Sequence, residues 1–210
     1  MVLAGGRAAR LGGADKPGLV IGGRPLLDAV AGAAVAAGAG ELIIVGPRRP
    51  DLIRIPAGHG PDGGVPVRWV SEDPPGSGPV PALRCGLAAV TGEAAARAGA
   101  AGPLVLVLAA DLPFLRSGPL TALAGAVRGG AADGAVLADE DGRPQWLISC
   151  WRYGPLRAGL DNYAGHSLRG LFEALRPARM GWPRDDREPP PWLDCDTPEA
   201  VDQARAWVSR

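Results

Sequence analysis

The chain has 210 residues, of which 47% are apolar, 21% charged and only 5% aromatic. Lys and Arg total 22 against 22 Asp and Glu, so the formal charge is zero, which excludes a general nucleic-acid or anionic-membrane surface. The 32 glycines and 22 prolines approach a low-complexity composition, but the apolar residues fall in blocks of strand and helix length that can build a core.

Met1 to Leu3 is a short apolar run that drops into a glycine-rich loop, Ala4 to Pro17, and reads as a buried strand feeding that loop. Gly18 to Ile21 reads as extended and Gly22-Gly23 as a turn. Pro25 is expected as the first residue of a helix through Leu26, Leu27, Val30 and Val35. Glu41 to Val45, closed by Gly46-Pro47, and Val65 to Val70 read as further strands, with loop between them. Ser71 to Pro79 is a long surface loop, and from Val80 a helix runs through Leu83, Leu87 and Val90 with Pro81 in its first turn.

Leu104 to Leu108 is the strongest strand signal: five apolar residues without alternation, as in a parallel strand covered on both faces. A helix over Pro119 to Arg128 follows, then strands at Ala135 to Ala138 and Gln145 to Trp151. Ser167 caps a helix reaching Leu175, and Pro198 to Val208 is a final helix introduced by Asp196-Thr197-Pro198. The class is α/β: a mostly parallel sheet with helices on both faces, expected as a single domain over 1–210. Ligands of such sheets bind beyond the carboxyl ends of the strands, at the loops 4–17, 71–79 and 110–113.

The first loop is neither GxxxxGK[ST] nor GxGxxG, yet it suits an anion. Its four glycines let backbone N–H groups approach phosphate oxygens, and Arg7, Arg10 and Lys16 add positive charge. Lys16 is the single lysine among 22 basic residues, as if a compact ammonium were needed where a guanidinium fork does not fit. A mobile glycine-rich turn is the bland alternative; the basic residues favour a nucleoside-triphosphate site.

Asp111 follows the strongest strand between small and apolar neighbours, where a carboxylate needs a cation such as Mg²⁺; a turn-capping aspartate is the alternative. Asp194 and Asp196, in Asp-x-Asp, would share one face of a strand, one completing a metal site and the other capping the last helix. His59 and His166 have no ligand spacing, and Ser77 lacks the GxSxG context of a nucleophile. The six tryptophans are scattered along the chain and make no stacking platform for nucleic acid. Cys85, Cys150 and Cys195 form neither a disulfide framework nor a CxxC pair and read as small buried hydrophobes of a cytoplasmic protein. No apolar run approaches the roughly 20 residues of a membrane helix, and the N-terminus has no signal-peptide pattern.

Together these segments resemble a known family. Leu3-Ala4-Gly5-Gly6, followed by Arg10-Leu11-Gly12-Gly13-Ala14-Asp15-Lys16, is similar to the signature loop of the molybdenum cofactor guanylyltransferases, the MobA-like NTP transferases. Gly23 to Leu27, Glu72-Asp73, Gly78-Pro79, Asp111 to Phe114, Ser167 to Leu171 and Asp194 to Glu199 continue the match in order. The resemblance implies a Rossmann-like nucleotidyltransferase that moves GMP from GTP to the terminal phosphate of molybdopterin, with Mg²⁺ and release of pyrophosphate. It also implies molybdoenzyme maturation proteins as partners.

By position it places the nucleotide at Leu3, Ala4, Gly5, Gly6, Arg10 and Gly13, its phosphates at Lys16, and its nucleoside end at Asp73. The metal falls to Asp111 and Asp196, and substrate contacts to Asp194 and Arg169. Gly46-Pro47 replaces an asparagine usual in the guanylyltransferases, Val80-Pro81-Ala82 replaces Leu-Ala-Gly, and Asp194 and Asp196 look more like the cytidylyltransferase branch. A sister enzyme using CTP, or using GTP with phosphoenolpyruvate or phospholactate, is therefore an alternative, as is a non-catalytic nucleotide-binding module.

Overall fold

A computed structural model describes residues 1–5, 15–54, 64–90, 102–130 and 132–209. Its main sheet contains β1 (Val2–Leu3), β4 (Leu42–Val45), β5 (Val67–Val70), β6 (Leu104–Ala109), β7 (Gly134–Ala138), β8 (Pro144–Arg152) and β9 (Ala178–Gly181). A small antiparallel hairpin, β2 (Val20–Ile21) with β3 (Arg24–Pro25), stands apart. The helices are α1 (Leu26–Ala36), α2 (Pro79–Ala88), α3 (Ser117–Gly129), α4 (Tyr153–Asp161), α5 (Leu168–Ala174) and α6 (Pro198–Val208).

The seven strands are ordered β5-β4-β1-β6-β8-β7-β9. All adjacent pairs are parallel except β6–β8 and β7–β8, so β8 alone runs against the rest. The apolar run at 104–109 does become a central strand. It is parallel to β1 on one side and antiparallel to β8 on the other, a mixed setting that an apolar run cannot distinguish from an all-parallel one.

Each face of the sheet carries its own core. One gathers Leu108, Leu137, Ile148 and Cys150 against Leu27, Val30 and Val35 of α1 and Leu120, Leu123 and Val127 of α3. The other gathers Val45, Val107 and Trp151 against Leu83 and Leu87 of α2, Leu156 and Leu160 of α4, and Leu171 and Phe172 of α5. Fully burying one such side chain stabilises the fold by about 1.5–3 kcal/mol. A third, smaller cluster joins Ile21 and Leu26 to Leu193, Cys195, Val201 and Ala204, and so ties the hairpin to α6.

Several expectations shift. Pro25 ends β3 and stands just before α1 instead of inside it. Helix α4 starts directly after β8 with no turn residues to announce it, and β9 is a short, charged, largely exposed edge strand, so neither has a clear sequence signal. Asp194 to Asp196 is extended but pairs in no sheet. Thr197, not Asp196, caps α6: its hydroxyl accepts the Ala200 N–H at 3.2 Å. Ser167 does cap α5, accepting from Gly170 N at 3.0 Å. Among the described residues, no helix is long and apolar enough to cross a membrane.

The topology selects a binding place. From β1 the chain passes through α1 to β4 on one side and later crosses to β6 on the other, so the strand order reverses at β1. Such a switch point leaves a crevice at the strands' carboxyl ends. Leu3 is in register with both Val45 and Ala109, which sets Ala4-Gly5 between the ends of β4 and β6.

Candidate active site

Lys16 opens a 3₁₀ turn, Lys16–Gly18, closed by Leu19 N donating to Lys16 O at 3.1 Å. Leu26 N donates to Leu19 O at 2.9 Å and fastens this turn to the base of α1. Asp15, just before it, is ion-paired with Arg49. The turn therefore aims Lys16 from a fixed base. Its ammonium lies between two carboxylates, contacting Asp111 Oδ2 and Asp196 Oδ1.

Asp111 arrives from β6. Asp196 arrives from the other end of the sequence, and its segment is pinned by Cys195 N donating to Asp111 O at 3.1 Å. Leu193 and Cys195 are buried while Asp194 and Asp196 face outward, the alternation of an extended chain even without strand partners. The expectation that Asp194 and Asp196 share a side is thus met without a strand. Burial disfavours the Lys16 ammonium, but the charges and hydrogen bonds of Asp111 and Asp196 outweigh it and hold its pKa above that of ordinary lysine. The Asp194 carboxyl is also raised above the usual range, first by loss of solvation and then by the charges of Asp196 and Asp111, so there the neutral form is the one favoured.

Asp111 has a second oxygen to give. Oδ1 is buried and unpartnered, a costly state for a carboxylate unless a ligand or cation completes it. Mg²⁺ takes one or two protein carboxylates and fills its remaining positions with phosphate oxygens and water. Among the described residues there is no cluster of three or more ligating side chains. Asp111 with Asp196 is therefore a donor set that fits Mg²⁺ arriving with a polyphosphate.

Glu72 is a functional candidate that sequence reasoning passed over in favour of Asp73. The loop 71–79 was expected at the surface, and Asp73 is exposed there, but Glu72 is buried. Its Oε1 accepts Gly76 N–H at 3.0 Å and lies 3.7 Å from where a Cβ on Gly5 would stand. Its other oxygen, Oε2, is buried without a partner, so the carboxylate beside the nucleotide-loop candidate Gly5 keeps one unsatisfied acceptor. The available signal was position: Glu72 is the second residue beyond β5, at the same carboxyl edge as Asp111.

Of the other residues expected in the site, Leu3, Ala4 and Gly5 lie at the end of β1 beside Asp111's strand. Gly6, Arg10 and Gly13 fall outside the described residues, as do Arg7 and His59. Arg169 is in α5, where it pairs with Glu173 at 2.9 Å; among the described residues no hydrogen bond or ion pair links it to Lys16, Asp111 or Asp196. Ser77 donates to Pro74 O within its own loop, and His166 is exposed.

The family model for the MobA-like NTP transferase domain matches residues 1–180. The chain belongs to the MobA-like NTP transferase family. No curated protein matches the MobA-like chain significantly. Among solved structures, molybdopterin-guanine dinucleotide biosynthesis protein A from Archaeoglobus fulgidus is 15% identical, with TM-score 0.67 over 99% of this chain and 97% of that one. The homologue of Mycobacterium tuberculosis Rv0371c from Mycobacterium sp. strain JC1 is 22% identical, with TM-score 0.67 over 100% and 95%. The 2-C-methyl-D-erythritol 4-phosphate cytidylyltransferase of Thermus thermophilus is 18% identical, with TM-score 0.64 over 100% and 98%. At these identities the likeness is one of fold: the MobA-like chain is α/β, with the sheet of the nucleotidyltransferases. Asp196, which completes the Lys16 cluster, lies beyond the matched segment.

Proposed function

We propose that the chain, acting as one domain in the cytoplasm, transfers a nucleoside monophosphate from an NTP to the phosphate of a small acceptor. In the finer reading GMP passes from GTP to the terminal phosphate of molybdopterin. The observation that carries the reaction class is Lys16 held between Asp111 and Asp196 at the switch point of the sheet.

An acceptor phosphate oxygen attacks the α-phosphorus, a new P–O bond forms, the bond to the β-phosphate oxygen breaks, and pyrophosphate departs. Charge accumulates on the transferred group and on pyrophosphate, and a fixed ammonium beside them stabilises it without reorganising water. Lys16 supplies that charge, and Asp111 and Asp196 hold it in place. The same two carboxylates would hold Mg²⁺, whose chemistry when bound is neutralisation of phosphate charge. The acceptor phosphate is already anionic at neutral pH, so no general base is required, and no histidine is needed at the site.

Two residues favour CTP as a second reading: aspartates at 194 and 196 replace asparagines usual in the guanylyltransferases. The deciding experiment follows pyrophosphate release with GTP, CTP, ATP and UTP, each with Mg²⁺ and molybdopterin. Release with GTP alone is expected; release with CTP instead moves the chain to the sister branch. Tight nucleotide binding without release on any phosphorylated acceptor would defeat the enzyme reading.

A further inference from the structure

Three stretches of chain meet around the turn that carries Lys16, and their contacts close a ring. At the far end of the turn, Leu19 O accepts Leu26 N at 2.9 Å, which ties it to the first residue of α1. Two residues further along α1, the Asp28 carboxylate is buried. Its Oδ2 accepts from Arg24 Nε, and Arg24 Nη2 donates to Asp28 O at 2.8 Å. Its Oδ1 accepts the backbone N–H of Arg54, from the segment that follows β4. That segment forms a second 3₁₀ turn, Pro50–Leu52, and Leu52 and Ile53 pack against the core that α1 covers. Leu52 N donates to Arg49 O at 3.1 Å, and the Arg49 side chain reaches back to Asp15, the residue in front of Lys16. The ring is then complete.

The two turns also touch directly. A Cβ on Gly18 would stand 2.8 Å from Asp15 Oδ2 and 3.5 Å from Leu52 Cδ1, so Asp15 folds back over its own turn and Leu52 covers the same spot. Arg49 meets Asp15 through Nη1, an atom buried from solvent, although the two side chains are 32% and 47% exposed. A pair so exposed adds little to stability. Its consequence is geometric. The Lys16–Gly18 turn is short, and the four-carbon stem of a lysine is flexible, so the turn's own backbone bonds do not set where the ammonium stands.

We propose that Arg49 is a positioning residue for Lys16. It holds Asp15 from a segment that Asp28 anchors to α1, and so sets the place of the ammonium between Asp111 and Asp196. The inference rests on the nucleotidyl-transfer reading. Among the described residues, no hydrogen bond or ion pair links Arg49 to Asp111 or Asp196, so it acts through Asp15 and the turn. Displacing a positioned group by about 1 Å costs on the order of 10²-fold in rate.

The single lysine of the chain makes the test direct. The full chain labelled with ¹³C-lysine gives one Cε signal, that of Lys16, which is read by NMR without substrate or turnover. In Arg49→Gln this signal should move about halfway or more toward its position in the urea-unfolded chain. Asp15→Asn should move it likewise, and D15N/R49Q no further than either alone, because both substitutions break the same contact. In the pyrophosphate-release assay Arg49→Gln should lower kcat about tenfold or more and change the KM for NTP less than about threefold. Its thermal midpoint should stay within about 2 °C of the parent.

A Lys16 signal that Arg49→Gln leaves at the parent position overturns the inference, as do additive shifts in D15N/R49Q. A fall in kcat with the Lys16 signal unmoved overturns it too, because Arg49 would then act elsewhere. Failure of the unaltered chain to release pyrophosphate from any NTP strikes the proposed reaction instead, and the Lys16 signal still judges the hold of Arg49 on the turn.

Discussion

Gly46 backs directly onto the peptide between Ala4 and Gly5. A Cβ at Gly46 would stand 2.8 Å from the Ala4 carbonyl carbon and 2.9 Å from Gly5 N, and its φ of 145° is itself unfavourable for other residues. Gly46 N also donates to Val70 O at 2.8 Å, and Ala4 N to Val45 O at 2.8 Å, so neither side can readily retreat. Glycine at this position therefore has a steric reason. Gly46→Ala should cost about 1–3 kcal/mol, the scale of overpacking and backbone strain. Thermal unfolding measures that loss, and calorimetry should show weaker NTP binding as the loop after β1 is displaced; a variant equal to the parent in both would show that the loop yields freely.

Lys16 has the composition argument and the geometry behind it together. A planar guanidinium cannot replace a compact ammonium seated between two carboxylates without moving one of them. Lys16→Ala should lower kcat by 10²-fold or more, the scale of losing one preorganised charge, and leave Asp111 and Asp196 to repel each other. Lys16→Arg should recover less than a tenth of the parent rate in a steady-state assay of pyrophosphate release. Full activity of Lys16→Arg would mean that only the charge matters there.

The two carboxylates around Lys16 should separate in their effects. Asp111 is mostly buried with an orphaned oxygen, whereas Asp196 is about half exposed. Asp111→Asn should abolish turnover and Mg²⁺-dependent NTP binding, while Asp196→Asn should raise the Mg²⁺ concentration needed for half-maximal rate and keep measurable kcat. Magnesium titrations of the two variants check the order; the reverse ranking would assign the principal metal contact to Asp196.

The α/β class, the central strand at 104–109 and the importance of Lys16 and Asp111 could be read from apolar runs and a lone lysine, because those signals are local. Joining Asp196 to Lys16 could not. It depends on Cys195 N meeting Asp111 O across 84 residues and on a 3₁₀ turn at Lys16 that no periodicity announces. A cleft that Phe114, Trp182, Trp192 and Trp207 line was hidden for the same reason, since these residues meet only after α3, β9 and α6 have packed. Glu72 was missed because a Pro- and Gly-rich loop reads as surface, and its burial against Gly5 is a tertiary fact.

Glu72 yields its own expectation. Its Oε1 lies beside Gly5 and is held by Gly76 N, which leaves the buried, unpartnered Oε2 to accept an N–H from a bound nucleotide. Glu72→Gln keeps the shape and adds a donor, so it should weaken NTP binding about tenfold while kcat at saturation changes little. A KM-against-kcat comparison decides it, and an equal fall in both would place Glu72 in the chemical step instead.

Cys150 offers a pH test of the core. It is fully buried in β8, with Leu106 and Ala135 opposite it on the neighbouring strands. Burial pushes its thiol up to about 11 from an ordinary value of 9.0. Between those values the unfolded chain releases a proton that the folded chain retains, so the unfolded state binds fewer protons and stability falls as pH rises. Below pH 9 both states keep the thiol protonated and the contribution is flat. Each unit of pH between 9 and 11 should remove up to about 1.4 kcal/mol through this group. Denaturant midpoints at pH 8, 9 and 11 should therefore drop in the parent and drop less in Cys150→Ala, which begins lower at pH 8 because it loses packing. Native protein at pH 8 should correspondingly leave Cys150 unmodified by a thiol reagent that reaches the half-buried Cys85. Parallel pH profiles for parent and variant would show that another group, with Lys16 the first to examine, carries the alkaline loss.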